Sequence, residues 1–457
     1  MFWQHPMNSN EIYQLFTDLL GVQGVDLLST GQITDQIRDQ IVKIRNLLHP
    51  DSAEAACIIY PQTPTELTQV IALASKYQIP ILTSDSYLSW GGLVKFSKIG
   101  IVVSTIRLHN LIDHAVGDLT VTCEAGIRFR NLQNILVASG QFLAIDSAYS
   151  ETVTIGEIVN TANTGSFRQR YGGIRDMILG ISFVRADGEL VKAGGRVVKN
   201  VAGYDLMKLL TGAYGTLGVV SQVTFRLYPL PKCDRTVIIS GNMDAINTAR
   251  AKILTSTLTP WAMDIISESI LSEFAPQSNQ SKTSEVSAFN LIMRFGGLDQ
   301  VVEAQINKLI EITNNLGLNL NLVESQQTWQ HIQNAFFKQS ESQIICKIGT
   351  LADHAIENLI KISDQMSAQK VRNIALQIHA SSGLGILRCE DADRSDRSKI
   401  LQVRNLLATT GGFLTILEAP VEFKNQLDVG GYAGNAQQVM TALKQKFDPR
   451  YLLNPHR

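Results

Sequence analysis

The stretch from Thr154 to Gly218 is the glycine-densest part of the chain, and it constrains the fold more than any other segment. Glycine has no Cβ atom, so the backbone can turn sharply and its N–H groups can approach a ligand closely. A dinucleotide lying along this backbone would explain the stretch, with the hydroxyls of Thr154, Thr161 and Thr164 as further donors to a diphosphate. A series of tight turns between short strands explains it equally well.

The charge of this region differs from that of the whole chain. Between residues 165 and 208, eight Lys or Arg residues stand against four Asp or Glu residues, whereas all 457 residues together carry 40 basic and 41 acidic side chains. The local excess favours an anionic ligand. The formal net charge of −1 leaves no overall positive surface for a nucleic-acid backbone, so we expect no nucleic acid as a partner.

The cysteine spacing and the apolar runs exclude two classes of protein. The five cysteines lie too far apart for the CxxC pairs of zinc or iron–sulfur sites, and we expect them to be buried apolar fillers. The N-terminal residues show no signal peptide, and no run approaches the ~20 apolar residues of a membrane span. We therefore expect a protein of the reducing cytoplasm, with membrane contact only through partners.

The first half of the chain alternates strands and helices. Thr63, Pro64 and Glu66 form a helix-starting pattern after an apolar strand. Periodicity predicts, in chain order, helices over 11–20 and 35–48, a strand over 57–60, a helix to residue 77, and strands over 79–82 and 101–105. This order is a βαβ unit preceded by a helical arm.

Turn residues mark the elements of the middle of the chain. A half-buried strand begins at Leu119, and Gly140 ends the following helix in the left-handed conformation. Asp187 and Gly188 predict a tight hairpin turn in which both residues take positive φ angles. The two prolines of YPLPK, residues 228–232, interrupt both helix and sheet, so we expect a domain boundary there.

The C-terminal half follows a different plan. Residues 343–417 show the order β-α-β-β-α-β of a ferredoxin-like unit, and residues 235–324 show a looser copy of it. The chain ends with FDPRYLLNPHR, which we expect to lie as an ordered tail on the body of the protein.

The order of these motifs resembles the FAD-binding domain of the vanillyl-alcohol oxidase (PCMH) type. The resemblance rests on SWGG, VTCEAG, TIGEIVNTANTG, RQRYGG and LTGAYGTLGVV, which follow one another between residues 55 and 231. Within that superfamily the sequence is most similar to the FAD-binding subunits of glycolate oxidase. The resemblance implies an α+β fold whose expected parts are an N-terminal helical arm (1–54), an FAD-binding domain (55–231), a ferredoxin-like α+β cap domain (232–430) and a C-terminal helix and tail (431–457).

The same resemblance implies the cofactor-binding residues. The first loop would wrap the diphosphate of FAD, and the glycine-rich segments would pass along the ribityl chain and the flavin. Covalent relatives attach flavin through a His of the first loop, and residues 83–92 contain none, so FAD should be bound noncovalently. The implied residues are Thr83, Ser84, Asp85, Ser86, Tyr87, Leu88, Ser89, Thr154, Gly156, Thr161, Thr164, Gly165, Gly218, Val219 and Val220.

Three residues depart from the pattern of the family. Thr83 and Asp85 stand where the first loop usually has glycines, and Glu157 replaces the second glycine of an IGG motif. A carboxylate in this position would repel the diphosphate and weaken the binding of FAD. Alternatively, Asp85 takes a left-handed conformation and caps its own loop, while Glu157 points to solvent.

The resemblance implies less about catalysis. Related 2-hydroxy-acid dehydrogenases carry a cluster of His residues and an acid in the C-terminal domain, whereas this chain offers only His379, Arg388 and Glu418 as catalytic candidates and no metal site. The implied function is that of a flavin subunit of a glycolate-oxidising complex, with a homologous catalytic flavin subunit and an iron–sulfur subunit as partners and a small 2-hydroxy acid as substrate. Two alternatives remain open: a self-sufficient 2-hydroxy-acid dehydrogenase, and an assembly subunit without flavin.

Overall fold

Three large β-sheets organise the protein. The structure, a computed structural model, describes residues 7–28, 35–85, 90–196, 204–271, 288–338, 340, 342–390, 396–425, 427–431 and 434–457. In this part of the chain the sheets have four, five and eight strands, and a two-stranded pair accompanies them. The predicted α+β class is confirmed by this mixture of sheets and helices.

The first sheet contains the predicted βαβ unit. The short first strand, which three residues of sequence were too few to predict, pairs antiparallel with the second strand at one edge of the sheet. The second strand pairs parallel with the fourth, and the fourth pairs parallel with the third at the other edge. Thr63 caps the helix as predicted, because its Oγ1 accepts from the N–H of Glu66 at 3.1 Å. The elements are α1 (Ser9–Leu20), β1 (Val25–Leu27), α2 (Asp35–Arg45), β2 (Ala55–Ile59), α3 (Pro64–Tyr77), β3 (Ile81–Thr83) and β4 (Gly100–Val103).

The second sheet is antiparallel and holds the glycine-rich stretch at its end. The elements of this part of the chain are β5 (Leu111–Ala115), β6 (Thr120–Glu124), α4 (Phe129–Ala138), β7 (Gln141–Phe142), α5 (Ile155–Thr161), α6 (Arg168–Tyr171), α7 (Ile174–Met177), β8 (Ile178–Val184), β9 (Leu190–Gly194), α8 (Leu206–Leu210), β10 (Val219–Arg226) and β11 (Tyr228–Pro229). Its strand order is β5-β6-β10-β8-β9, and β7 pairs separately with β11.

Two turns of this part of the chain were predicted from the sequence, one at Gly140 and one at Asp187 and Gly188. Gly140 takes the predicted left-handed conformation with φ +69°. The hairpin between β8 and β9 also forms, but only Gly188 has a positive φ, of +88°. Asp187 instead accepts a hydrogen bond from Arg185 at 2.6 Å, so the expectation of two positive φ angles in this turn was wrong.

The third sheet consists of two ferredoxin-like units joined edge to edge. The first unit has the elements β12 (Cys233–Ser240), α9 (Met243–Leu254), β13 (Ala262–Ser267), α10 (Glu268–Leu271), β14 (Phe289–Gly297), α11 (Asp299–Asn314) and β15 (Asn319–Val323), and α12 (Ser325–Phe337) follows it. The second has β16 (Gln343–Gly349), α13 (Ala355–Ala368), β17 (Arg372–His379), β18 (Leu384–Glu390), α14 (Ser398–Ala408) and β19 (Phe413–Glu418). Both predicted β-α-β-β-α-β orders are confirmed.

The seam between the two units is the antiparallel pair of β13 and β17. The strand order β15-β12-β14-β13-β17-β18-β16-β19 makes one continuous sheet of both units. In the register of the seam, Asp264 stands directly opposite His379. Residues on facing strands at such a position have neighbouring Cβ atoms, so the seam brings these two side chains together.

The C-terminal tail lies against the first sheet, as expected. It follows the last two helices, α15 (Val421–Lys424) and α16 (Ala436–Phe447). The side chain of Asn454 accepts from the N–H of Thr83 at 2.8 Å and donates to Thr83 Oγ1 at 2.9 Å and to the carbonyl of Tyr214 at 2.7 Å. The tail therefore fixes the start of the first loop. Among the described residues, no helix is long and apolar enough to cross a membrane.

Candidate functional site

A cavity of about 740 Å³ separates the glycine-rich end of the second sheet from the third sheet. Its volume lies in the range of roughly 300 to 1,000 Å³ that is typical of cofactor and ligand pockets. Trp90 and the α12 side chains Trp329, Phe336 and Phe337 form its apolar wall. The segment from Ile145 to Arg168 and several strands of the third sheet supply its polar groups.

His379 and Asp264 form a buried pair at the edge of this cavity. His379, which lines the cavity, is 8% exposed, and Asp264 is fully buried. The Nδ1 atom of His379 lies 2.6 Å from Oδ1 of Asp264, and Gln377 donates to the other carboxylate oxygen at 2.8 Å. Because a carboxylate can only accept, Nδ1 is the protonated nitrogen whenever the imidazole is neutral. The Nε2 atom has no hydrogen-bond partner among the described residues and is available as a base.

The charges around His379 act on its pKa in opposite directions. Burial lowers the pKa of His379, but the charge of Asp264, its hydrogen bond and the nearby Asp146 raise it, and the net shift is upward. Arg168 acts against this rise. Burial raises the pKa of Asp146 to about 6, although the positive charge of His379 and the N–H groups of Ser166 and Phe167 favour its ionised form.

Two cations that line the cavity lack an ionic partner among the described residues. Arg168 and Lys347 both line the cavity, and in the described part of the chain neither side chain has a hydrogen-bond acceptor or a carboxylate within ion-pair distance. Burial lowers the pKa of Lys347, and the charge of Arg168 lowers it further. These two side chains therefore form a site that an anion would stabilise.

Two other arginines of the cavity are already occupied. Arg294 forms an ion pair with Asp234, in which Nε lies 3.0 Å from Oδ1. Arg404 donates to the main-chain carbonyls of Leu414 and Asp428 at 3.1 and 2.8 Å. Among the described residues, Arg168 and Lys347 are thus the cavity cations that remain for a ligand.

The first loop brings a carboxylate to a cluster of donors. Asp85 accepts hydrogen bonds from Ser104 Oγ at 3.0 Å, from the N–H and Oγ1 of Thr105 at 2.5 and 2.8 Å, and from Thr154 Oγ1 at 2.9 Å. Burial raises the pKa of Asp85, and the hydrogen bonds from Thr105, Thr154 and Ser104 oppose this rise. These bonds hold the carboxylate between the first and second sheets.

The alternative expectation for Asp85 and Glu157 is only partly met. Asp85 does hold its loop, but its φ angle is not among the positive ones of the described residues. Glu157 is 8% exposed rather than directed to solvent. Its carboxylate accepts from the N–H of Thr154 and from the N–H of Asp85, both at 3.2 Å, so it caps α5 and closes onto the loop.

The expected cofactor residues lie in two places. Those of the first loop and of β10 surround a small cavity of about 20 Å³ beside Asp85, and those of the segment after α5 line the large cavity. Gly165 lies so close to Asp146 that a Cβ atom would come within 2.5 Å of it, and Gly218 packs equally closely on Phe183. Ser86, Tyr87, Leu88 and Ser89 lie outside the described residues. The small cavity has Thr83, Ser84, Asp85, Gly156, Val219 and Val220 in its lining, and the large one has Thr161, Thr164 and Gly165.

The three catalytic candidates are not brought together. Of them, His379 lines the cavity. Arg388 forms an ion pair with Glu390 at 2.8 Å, and Glu418 accepts from the hydroxyl of Tyr149 at 2.8 Å and from Gln343 at 2.7 Å. Within the described residues, no group of three or more His, Cys, Asp or Glu side chains is placed to hold a metal ion.

Sequence reasoning missed Asp264, Lys347 and Arg168. Two of them had a visible signal, because Asp264 lies in the apolar run AMDIIS and Lys347 in QIICKIG. A lone charge inside a buried strand needs a partner or a function. For Arg168, the only indication in the sequence was its position in the basic region between residues 165 and 208.

Comparisons with known proteins give this site its context. Residues 55–194 match the family model described as FAD binding domain. The chain is 23% identical to the glycolate oxidase subunit GlcD of Bacillus subtilis (strain 168), over 93% of this chain and 96% of that protein. It is also 23% identical to a probable mitochondrial D-lactate dehydrogenase of Danio rerio, over 96% of this chain and 90% of the relative. The structure of p-cresol methylhydroxylase with substrate bound superimposes with a TM-score of 0.73 and 13% identity, covering 98% of this chain and 96% of that one.

The residues present fit the flavin end of an FAD molecule, and at the diphosphate end they supply suitable donors. The large cavity has the volume and the aromatic wall that a flavin ring requires. The hydroxyl and N–H donors around Asp85 have the chemistry that a diphosphate requires. In this structure, however, the carboxylate of Asp85 holds those donors.

Proposed function

Residues 55–194 form an FAD-binding domain in a chain with the vanillyl-alcohol oxidase fold, and from this premise we propose that the protein oxidises a small 2-hydroxy acid in the large cavity. The observation that carries the proposal is that one base and two cations line the same cavity, and that neither cation has an ionic partner among the described residues. His379 is oriented by Asp264, and Arg168 and Lys347 line the same cavity. Such a set matches a substrate that has a carboxylate next to a hydroxyl group.

Each side chain then has a role in the reaction. Arg168 and Lys347 bind the carboxylate of the substrate, which neutralises the charge that both would otherwise leave uncompensated. Nε2 of His379 accepts the proton of the hydroxyl group as the 2-oxo acid forms. Asp264 holds the ring in this tautomer and stabilises the imidazolium that results. Bound FAD would accept the hydride from C2 of the substrate.

We further propose that the protein works as one subunit of a glycolate-oxidising complex. The similarity to a glycolate oxidase subunit over nearly the full length supports this. The chain has no CxxC pair of cysteines, so an electron path through an iron–sulfur centre would need another chain. The proposed partners are a homologous flavin subunit and an iron–sulfur subunit.

Reduction of bound flavin tests whether the cavity itself is active. The isolated chain, loaded with FAD, should lose its visible flavin absorbance when glycolate or D-lactate is added without oxygen, because this half-reaction needs no electron acceptor. Steady-state turnover should rise when the partner subunits are co-expressed. A flavin that dithionite reduces but neither hydroxy acid does would contradict the proposal and favour a purely electron-transferring subunit.

The proposal also predicts how FAD is released. Residues 83–92 of the first loop contain no His or Cys that could tether flavin. Acid or denaturant should therefore free all the FAD in intact form, and the supernatant after precipitation measures it. Flavin fluorescence that stays with the denatured protein band on a gel would contradict noncovalent binding.

A second candidate function is an assembly subunit that holds no flavin. The carboxylate of Asp85, which engages the donors for a diphosphate, favours this alternative. It predicts that the purified protein has no visible flavin spectrum and gains none when FAD is added.

A further inference from the structure

We propose that Asp85 occupies the subsite of the cofactor's diphosphate and thereby sets the affinity of the protein for FAD. The inference rests on FAD as the cofactor and is independent of the substrate. It assigns Asp85 as an internal competitor, whose carboxylate must leave its donors before the diphosphate can bind.

The first argument is the nature of the donors. Asp85 accepts three hydroxyl hydrogen bonds and one from a main-chain N–H, and these donors come from two distant segments, 104–105 after β4 and Thr154 before α5. Ser104, Thr105 and Thr154 are all buried. Buried hydroxyl and amide donors that converge on one point are suited to an anion with several acceptor oxygens, and a phosphate has more of these than a carboxylate.

The second argument is space. The cavity beside Asp85 measures about 20 Å³, which suffices for roughly one water molecule. A diphosphate cannot enter this cavity while the side chain of Asp85 stays in place. Displacement of the carboxylate would open the cavity and free the donors in one step.

The third argument is charge. The other titratable side chain at this small cavity is Glu157, whose carboxylate accepts from the N–H of Asp85. Arg457 interacts electrostatically with Glu157. A diphosphate would thus approach two carboxylates, and removal of one of them should favour its binding.

The loop does not depend on the Asp85 carboxylate alone. Thr83 is held by Asn454, and the N–H of Ser84 donates to the carbonyl of Val103 at 3.3 Å. These bonds should keep the start of the loop in position when the carboxylate is removed. A change at Asp85 therefore tests the occupied subsite rather than the fold of the loop.

The test compares FAD with riboflavin, which has the same ring system but no phosphate. The variants are Asp85→Ser and Asp85→Asn, and the control is Asp118→Ser, which removes an exposed acid outside both cavities. Calorimetry or flavin fluorescence measures both affinities on flavin-free protein, and thermal unfolding verifies that each variant is folded. No substrate is needed, so the outcome does not depend on the proposed reaction.

We expect both Asp85 variants to bind FAD at least tenfold more tightly than the wild type, with riboflavin affinity unchanged within about twofold. One decade corresponds to about 1.4 kcal/mol. Asp118→Ser should change neither affinity. Unchanged or weaker FAD binding by both folded Asp85 variants would overturn the proposal, as would an equal change for FAD and riboflavin or the failure of every variant to bind FAD.

Discussion

Replacement of His379 by Asn should lower kcat for oxidation of a small 2-hydroxy acid by about 10²- to 10⁴-fold, which is the usual contribution of a positioned general base. The reason is that Nε2 of His379 is the acceptor proposed for the hydroxyl proton. The FAD content of each variant must be measured first, because His379 lines the cavity that would hold the flavin ring. The effect on the chemical step is measured by mixing the protein rapidly with substrate in the absence of oxygen and monitoring the reduction of the bound flavin.

A matched control is available in His354→Asn. The imidazole of His354 is exposed and lies 3.4 Å from Glu357 on the surface of the second ferredoxin-like unit. Its replacement should leave the rate of flavin reduction within about twofold of the wild type. If His379→Asn retains the full rate, the proton must go to another acceptor and the proposed mechanism is wrong.

Asp264 has a positioning role, and the pH profile should reveal it. The base must be neutral to accept a proton, so the rate should rise with pH through the pKa of His379. Asp264 and Asp146 raise that pKa, while burial and Arg168 lower it. In Asp264→Asn the pKa of His379 should fall, so the acid limb of the pH profile should move to lower pH. The kcat of this variant should also decrease. An acid limb that stays in place would contradict the pairing.

Replacement of Lys347 or Arg168 by Met should raise the Kd for the hydroxy acid by about 10- to 100-fold each. A hydrogen bond to a charged group is worth about 1.5 to 3 kcal/mol, and 1.4 kcal/mol corresponds to one decade. Both cations lack a partner in the described structure, so the carboxylate of the substrate would be their main counter-charge. The affinity for the carboxylate is measured without turnover by titrating the oxidised holoprotein with a 2-oxo acid, which is the product and has the same carboxylate, and monitoring the flavin spectrum.

Two comparisons separate recognition of the carboxylate from a general loss of structure. Lys361→Met removes a lysine that pairs with Glu357 on the surface, and it should not change the affinity. A neutral diol in place of the hydroxy acid should bind the wild type and the Met variants equally weakly. If Lys347→Met and Arg168→Met bind the acid as well as the wild type does, the cations serve another purpose.

Local patterns made most of the fold predictable. The β-α-β-β-α-β orders of residues 235–324 and 343–417, the cap at Thr63 and the left-handed Gly140 all depend on residues close in sequence, and all were found. The predicted hairpin also formed, but its turn is closed by the N–H of Gly188 donating to the carbonyl of Arg185 at 2.9 Å, and of the two turn residues only Gly188 has a positive φ. The glycine-rich stretch alone was explained equally well by a bound dinucleotide and by tight turns, and the residues predicted to bind the cofactor stay a prediction.

The sequence by itself thus determined the elements and their order, because hydrophobic period, capping and turn chemistry act over a few residues. The cofactor class followed from the resemblance of its motifs to an FAD-binding family. Only the tertiary structure decided which side chains meet. Asp264 and His379 are 115 positions apart and become neighbours through the seam of two sheet units. Lys347 reaches the cavity from β16 and Arg168 from α6, and the donors to Asp85 lie 19 to 69 positions away in the sequence. Such contacts depend on the register and packing of distant segments, and no local pattern in one sequence carries that information.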